Sequence, residues 1–241
     1  DSAWTVEAVL NNDMIGNIEG INGEIDNRSF RIFSEPTPPT ETEAERRARR
    51  TSGGEVDGIS RQLARYVERV VRATMPEMQP RLIYRLDRFS RGGHHRPFND
   101  LGMPGVRIME SHEHYDRQHQ DLRTENGRVY GDVIAGVNFP YVARMTGVNA
   151  VVLAALAWAP APPTAVRLRG AVSASTTVSW TAAPGAPPLG YKVYWRDTTA
   201  PQWTYWRWVP AGSTQVTLEN IIIDDFLFGV AAVGPGGHES V

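Results

Sequence analysis

The chain has no cysteine among its 241 residues. That excludes disulfides and every thiolate metal site, and leaves histidine and carboxylates as the candidate ligands for a zinc-class cation. An excess of charge is lacking too: 25 Lys plus Arg stand against 27 Asp plus Glu, a net charge of -2. No overall field therefore draws the chain to nucleic acid or to an anionic membrane. The longest apolar run, Ala150 to Ala159, is about half the ~20 residues that cross a bilayer. No secretory leader or lipidation motif stands at the N-terminus. The expectation is a soluble protein with neither nucleic acid nor membrane as partner, long enough for one large or two ordinary domains.

Composition changes at Ala159-Pro160-Ala161-Pro162-Pro163, a stiff run that reads as a linker over 159–163 between domains at 1–158 and 164–241. Before it, strand and helix patterns alternate, which predicts an α/β layer fold, a sheet sandwiched by helices. Thr5 to Leu10, Leu82 to Tyr84 and Val106 to Met109 read as strands. Ile59, Leu63, Tyr66, Val67, Val70 and Val71 recur at helical spacing with Pro76 just beyond. Pro140 can open a last helix to about Trp158, burying Val142, Met145, Val148, Val152 and Leu156. Between Ser34 and Gly54 lies a charged, proline-rich stretch. Its Arg46-Arg47-Ala48-Arg49-Arg50 run is read as a solvated loop or helix start, because Glu41, Glu43 and Glu45 offset it and no aromatics interleave to stack bases.

After the prolines the pattern is β throughout. Thr176–Trp180, Gly190–Trp195, Thr214–Leu218 and Phe226–Val233 alternate, with turn residues at sandwich-like intervals. This part resembles a fibronectin type III module. The resemblance implies that Trp180, Tyr191, Val193 and Leu218 share one core. Two departures stand out: Phe226 takes the place of the usual corner tyrosine, and Gly237 to Val241 stops where the last strand should begin, so the module reads as truncated.

Asp13 ends the run Val9-Leu10-Asn11-Asn12-Asp13-Met14-Ile15-Gly16-Asn17. In open α/β sheets ligands bind beyond the carboxyl ends of strands, where a carboxylate is held rigidly. Five of the six histidines fall between His94 and His119, so the sequence points to a metal site assembled from distant strand ends. His112-Glu113-His114 has a spacing that can put two imidazoles on one strand face, but a solvated loop is the simpler reading.

Together with Arg91-Gly92-Gly93-His94-His95-Arg96-Pro97-Phe98, Gly102 to Arg107 and Tyr115 to Asp121, the Asp13 run resembles the co-catalytic di-zinc aminopeptidases, which include bacterial leucyl aminopeptidases. The resemblance covers roughly residues 3 to 158. It implies a peptide substrate, two Zn2+ ions, and Asp13 and His119 as metal ligands. It also implies an extracellular or periplasmic location. Of the family's Ser-Asp-His-x-x-Phe signature, His94 stands where an aspartate is usual, and His95 is expected to line the substrate pocket. Glu110, at a strand end, is expected there as well, and Tyr115 is a candidate donor to a tetrahedral oxyanion. The family draws its bridging carboxylate, further ligands and general-base glutamate from a region before the Asp13 strand. The chain therefore reads as the C-terminal part of a zinc aminopeptidase, inactive alone, with the N-terminal part of the same protein as its partner. A glutaminyl-cyclase-like enzyme, and a non-catalytic scaffold contacting partners through the dense aromatics of Tyr194-Trp195 and Trp203 to Trp208, are the alternatives.

Overall fold

The structure, a computed structural model, describes residues 5–241; residues 3 and 4, where the peptidase resemblance begins, lie outside them. The chain forms two compact units, Asp1–Val152 and Leu153–Val241, so the division falls within the last helix of the first unit rather than at the proline run.

In chain order the first unit carries β1 (Val9–Asn12), β2 (Ser29–Phe33), α1 (Glu43–Ser52), α2 (Ile59–Thr74), β3 (Gln79–Ile83), α3 (Arg96–Asp100), β4 (Gly105–Glu110), the small hairpin β5 (Arg123–Glu125) and β6 (Arg128–Tyr130), and the start of α4 (Phe139–Trp158). Four strands make one mixed sheet in the order β1-β4-β2-β3, with β1 parallel to β4, β2 antiparallel to β4 and β3 parallel to β2. Every residue of β4 is buried, so this strand is covered on both faces as a central strand must be. The first strand starts at Val9 rather than Thr5. Its register, Val9 opposite Gly105 through Asn12 opposite Ile108, is set by β4 and not by local apolar content. β2 was not legible: Ser-Phe-Arg-Ile-Phe is short and carries a charge, and it becomes a strand because it inserts between β3 and β4.

The helices follow their local chemistry. Thr42 and Glu45 form a capping box at the start of α1, Gly53 closes it in the left-handed conformation, and none of its residues is buried. The solvated, helix-starting reading of the arginine run thus holds, with Arg46 and Arg47 both paired to Glu43. α2 buries Leu63, Val67 and Val71 completely, each contributing about 1.5–3 kcal/mol. It begins at Gly58, where a Cβ would lie 1.8 Å from the Pro36 carbonyl oxygen, so no side chain fits. α4 buries Tyr141, Met145, Val148 and Val152. Met145, Val148 and Val152 are buried as expected, whereas Val142 and Leu156 are only partly buried and Tyr141 and Ala155 are buried beside them; the Tyr141 hydroxyl donates to the Ser29 carbonyl at 2.9 Å. By length and composition α4 could cross a membrane. Four of its positions in the first unit, Tyr141, Met145, Val148 and Val152, are fully buried.

The second unit contains β7 (Thr164–Arg169), β8 (Thr176–Thr181), β9 (Gly190–Asp197), β10 (Tyr205–Pro210), β11 (Gln215–Leu218) and β12 (Phe226–Val233). They make two three-stranded antiparallel sheets, β10-β9-β12 and β11-β8-β7. Val178, Trp180, Tyr191, Val193, Val209, Leu218 and Ala232 form the core between them. The rings of Trp180 and Tyr191 meet edge-on at 5.1 Å. The expected shared core of Trp180, Tyr191 and Leu218 is therefore present.

β12 is an edge strand. On its outer side Ala232 bonds to Ser240 through both its N–H and its carbonyl, and strand alternation turns Phe226, Phe228 and Val230 the same way. Hydrogen exchange on this chain is expected to be fast at those three amides. The amides of Gly229 and Ala231, which face β9, should be protected. Equal strong protection at all of them in a monomer would show that the edge is closed.

Candidate metal and substrate site

Asp13 directly follows β1, and its N–H donates to the Ile108 carbonyl at 3.1 Å, which carries the pairing with β4 one residue past the strand. The Glu110 N–H then donates to the Met14 carbonyl at 2.8 Å. Two neighbouring parallel strands thus end on one rim, with Asp13 on one and Glu110 on the other. The Asp13 side chain is 36% exposed, and its Oδ2 lies 3.1 Å from Nη2 of the fully buried Arg107.

The chain after Asp13 turns over Glu110, whose Oε2 accepts the N–H groups of Gly16 at 3.1 Å and Asn17 at 2.8 Å. Beside this turn is a cavity of about 120 Å³, lined among others by Met14, Glu110, His114, Gln118, Val133 and Val137. Glu110, at the end of β4, is one of the residues lining this cavity. Met14 follows Asp13 and Gln118 precedes His119, so the immediate neighbours of both proposed ligands reach one cavity. His119 itself is exposed and has a φ of 51°, a left-handed conformation that non-glycine residues seldom adopt and that often marks functional positions.

Of the other candidates, His95 and Tyr115, like Asp13 and His119, are not among the residues lining this cavity. His95 is completely buried; its Nε2 lies 2.9 Å from the Leu86 carbonyl and its Nδ1 3.4 Å from the Asn11 amide nitrogen. Burial lowers its pKa, so it is a neutral internal strut and does not line the cavity. Tyr115 is half exposed, with the Arg91 guanidinium 5.9 Å from its ring. His112 and His114 do not share a strand face. His112 lies 3.5 Å from Glu24 and 3.9 Å from Asp26, whereas His114 lines the cavity. Glu113 is taken up by Arg31, Arg88 and Arg91 at 3.0–3.2 Å. Burial alone would raise its pKa, but the Arg31 and Arg88 guanidiniums lower it.

A carboxylate and an imidazole suit zinc, although a full cage needs four or more donors. Among the described residues no group of three or more His, Asp or Glu side chains converges. Asp13 and His119, the ligands expected from the sequence, are not among the residues lining the cavity. Arg107 and Asp87, which support Asp13 from below, were missed in the sequence. Their one signal is the charge of Arg107 inside the apolar strand Val106 to Met109.

Burial pushes the Glu110 carboxyl up to about 7, partly opposed by the Asn17 and Gly16 N–H groups. Glu35 is likewise pushed up to about 7 by burial and by Asp100. An acid whose folded pKa is raised stabilises fully below its unfolded value, here 4.5, and loses that contribution as pH rises to about 7. Stability should thus fall between pH 4.5 and 7, by at most about 3 kcal/mol from Glu110. Glu110→Gln keeps an acceptor for the two N–H groups but does not titrate. Urea melts across this range should show a shallower slope in the variant, with Glu35 supplying what remains. An unchanged slope would show that Glu110 is ionised at no cost.

No family model matches the chain. It is 38% identical over 244 residues to a "Probable zinc metalloprotease" of Pyrenophora tritici-repentis, covering all of this chain and 56% of that protein. Proteins of the same description from Leptosphaeria maculans and Pyricularia oryzae are each 39% identical, again over the whole chain and over 56% and 49% of their own length. The chain spans about half the length of the relatives it matches. Among solved structures, the FN3 domain of human collagen XX aligns with 33% of the chain and 82% of its own at 28% identity, with a TM-score of 0.29. Over its entire length, then, this chain is similar to fungal proteins described as probable zinc metalloproteases.

Proposed function

We propose that the chain is the C-terminal part of a zinc-dependent exopeptidase that removes residues from peptide N-termini. The reading is supported by the similarity of the whole chain to proteins described as probable zinc metalloproteases and by the strand-end rim that carries Asp13 and Glu110. Asp13 and His119 would hold zinc, together with donors from the remainder of a longer protein. When bound, zinc supplies a Lewis acid and a water of lowered pKa. The apolar wall of Met14, Val133 and Val137 would take the side chain of the terminal residue. Glu110 would keep the 14–17 turn in place. The Tyr115 hydroxyl, on a half-exposed side chain, would be free to donate to an oxyanion. An extracellular or periplasmic location, a peptide as the only substrate class, and no nucleic-acid or membrane partner belong to the same reading.

The second unit would serve as a type III accessory module. Trp206 and Trp208 on β10 are 54% and 41% exposed, and such a patch favours a contact role. A scaffold reading for the whole protein rests on that same patch.

The test is hydrolysis by the full-length protein of leucine p-nitroanilide and of its N-acetylated form. Chelator-sensitive release from the free amine alone, restored by zinc, is the expected result. Cleavage inside N-blocked peptides would make the protein an endopeptidase. Absence of any zinc-dependent hydrolysis would leave the scaffold reading.

A further inference from the structure

The outer face of the β10-β9-β12 sheet carries indole rings that the core of the second unit does not use. Val193 of β9 and Val209 of β10 point into that core. Alternation therefore turns Lys192 and Tyr194 of β9, and Trp206 and Trp208 of β10, to the opposite side. The register sets Trp206 beside Tyr194 and Trp208 beside Lys192. Trp206 is 54% and Trp208 41% exposed. On the far side of β9, Gly229 of β12 stands opposite Tyr194.

Two glycines seat rings on this face. A Cβ on Gly190 would lie 2.4 Å from Trp208 Cζ2 and 2.9 Å from its Cε2, so the Trp208 ring rests on bare backbone. A Cβ on Gly229 would lie 2.8 Å from Cζ2 of Trp203, whose ring is centred 5.8 Å from that of Tyr194. Among the rings stands a hydrogen-bonded polar group. The Lys192 ammonium lies 4.9 Å from the centre of the Trp206 ring and donates to Glu239 at 2.6 Å. The Tyr194 hydroxyl donates to the other Glu239 oxygen, also at 2.6 Å. The face thus combines two open indoles with an ammonium and a carboxylate fixed beside them.

That combination selects the occupant. Cores of protein–protein interfaces are depleted in Lys and Glu, whereas this pair stands among the rings. A polyproline ligand repeats one face about every 9 Å, but residues two apart on a strand recur at about 7 Å. Nucleic acid calls for cations that neutralise phosphate, and the Lys192 charge is already met by Glu239. A pyranose ring with equatorial hydroxyls fits all of these features. Its flat C–H face stacks on an indole, and its rim hydroxyls can accept from an ammonium and donate to a carboxylate. We propose that the outer face of this sheet binds a neutral β-linked polysaccharide. Trp206 and Trp208 stack on its sugar rings, and Lys192 and Glu239 bond the hydroxyls between them. The proposal rests on the contact role given above to the second unit and is independent of the peptidase site.

The experiment measures depletion of the full-length protein from solution by cellulose and by chitin particles. Saturable adsorption to at least one is expected, and it should persist at about 1 M salt, where charges are screened within about 3 Å. Trp206→Ala and Trp208→Ala should each weaken it about tenfold, as loss of a central aromatic contact does. Trp206→Phe keeps a stacking face and should recover much of the affinity. Val172→Ala, at an exposed apolar position between β7 and β8, should leave adsorption as in wild type. Melting curves establish that each variant is folded. No adsorption by the wild-type protein, or undiminished adsorption when both tryptophans are alanine, would overturn the proposal. If the particles are ignored but the double variant loses self-association in sedimentation, the contact role stands and the sugar is wrong. Hydrolysis of leucine p-nitroanilide by the same wild-type sample decides the peptidase reading separately.

Discussion

Asp13→Ala in the full-length protein is expected to lower chelator-sensitive release of N-terminal residues by at least about a hundredfold, beyond what loss of an orienting partner costs. The carboxylate lies at the end of β1, fixed by the bond from its N–H to the Ile108 carbonyl and by the Arg107 guanidinium, so no neighbour can swing in to replace it. Removing it also leaves Arg107 buried with one fewer counter-charge. Some loss of thermal stability should therefore accompany the loss of activity. Asp13→Asn separates these effects: the amide preserves shape and an acceptor oxygen but ligates zinc poorly. It should fold close to wild type and remain nearly inactive. Activity within about threefold of wild type in Asp13→Asn, where a ligand loss should cost several kcal/mol, would remove Asp13 from the site.

Trp180→Ala is expected to destabilise the second unit by about 3–5 kcal/mol, the range for emptying a large aromatic site. Trp180 is 5% exposed in the core with Val178, Tyr191, Val193 and Leu218, and its ring meets Tyr191 edge-on. A domain with roughly 5–15 kcal/mol in total tolerates that poorly. Limited proteolysis should therefore cut the Leu153–Val241 unit early in the variant and spare Asp1–Val152. The indole Nε1 has no hydrogen-bond partner among the described residues, so Trp180→Phe forfeits area but no bond and should cost markedly less. A change below about 1 kcal/mol in Trp180→Ala would mean that the core can collapse around the gap.

Several parts of the molecule were legible in local spacing. α2 and α4 follow apolar residues three and four apart, and four of the six strands of the second unit follow alternation with turn residues between them. The capping box of Thr42 and Glu45 is readable too, although the arginine run beside it left loop and helix both open. Misreadings fall where a partner decides. The start of β1, the existence of β2 and the burial of Tyr141 rather than Val142 all depend on what lies across the sheet. The site divides in the same way. Asp13 was singled out for its place after an apolar strand, and only the fold shows its carboxylate beside the buried Arg107 guanidinium. His95 was misplaced because a buried neutral imidazole and a pocket imidazole look identical in sequence.

By itself the sequence determined the composition limits, the periodic elements, the core residues Trp180, Tyr191 and Leu218, and the short list of side chains able to ligate a metal. These depend on neighbours in the chain, and residues a few positions apart are held together by the backbone. Only the tertiary structure decided that Arg107 lies against Asp13 and Asp87, that Gly93 is needed to cover them, and that Met14 and Gln118 line one cavity. Those contacts join segments far apart in the chain. Their energies come from burial and from pairing charges out of water, which exist only once the sheet has closed.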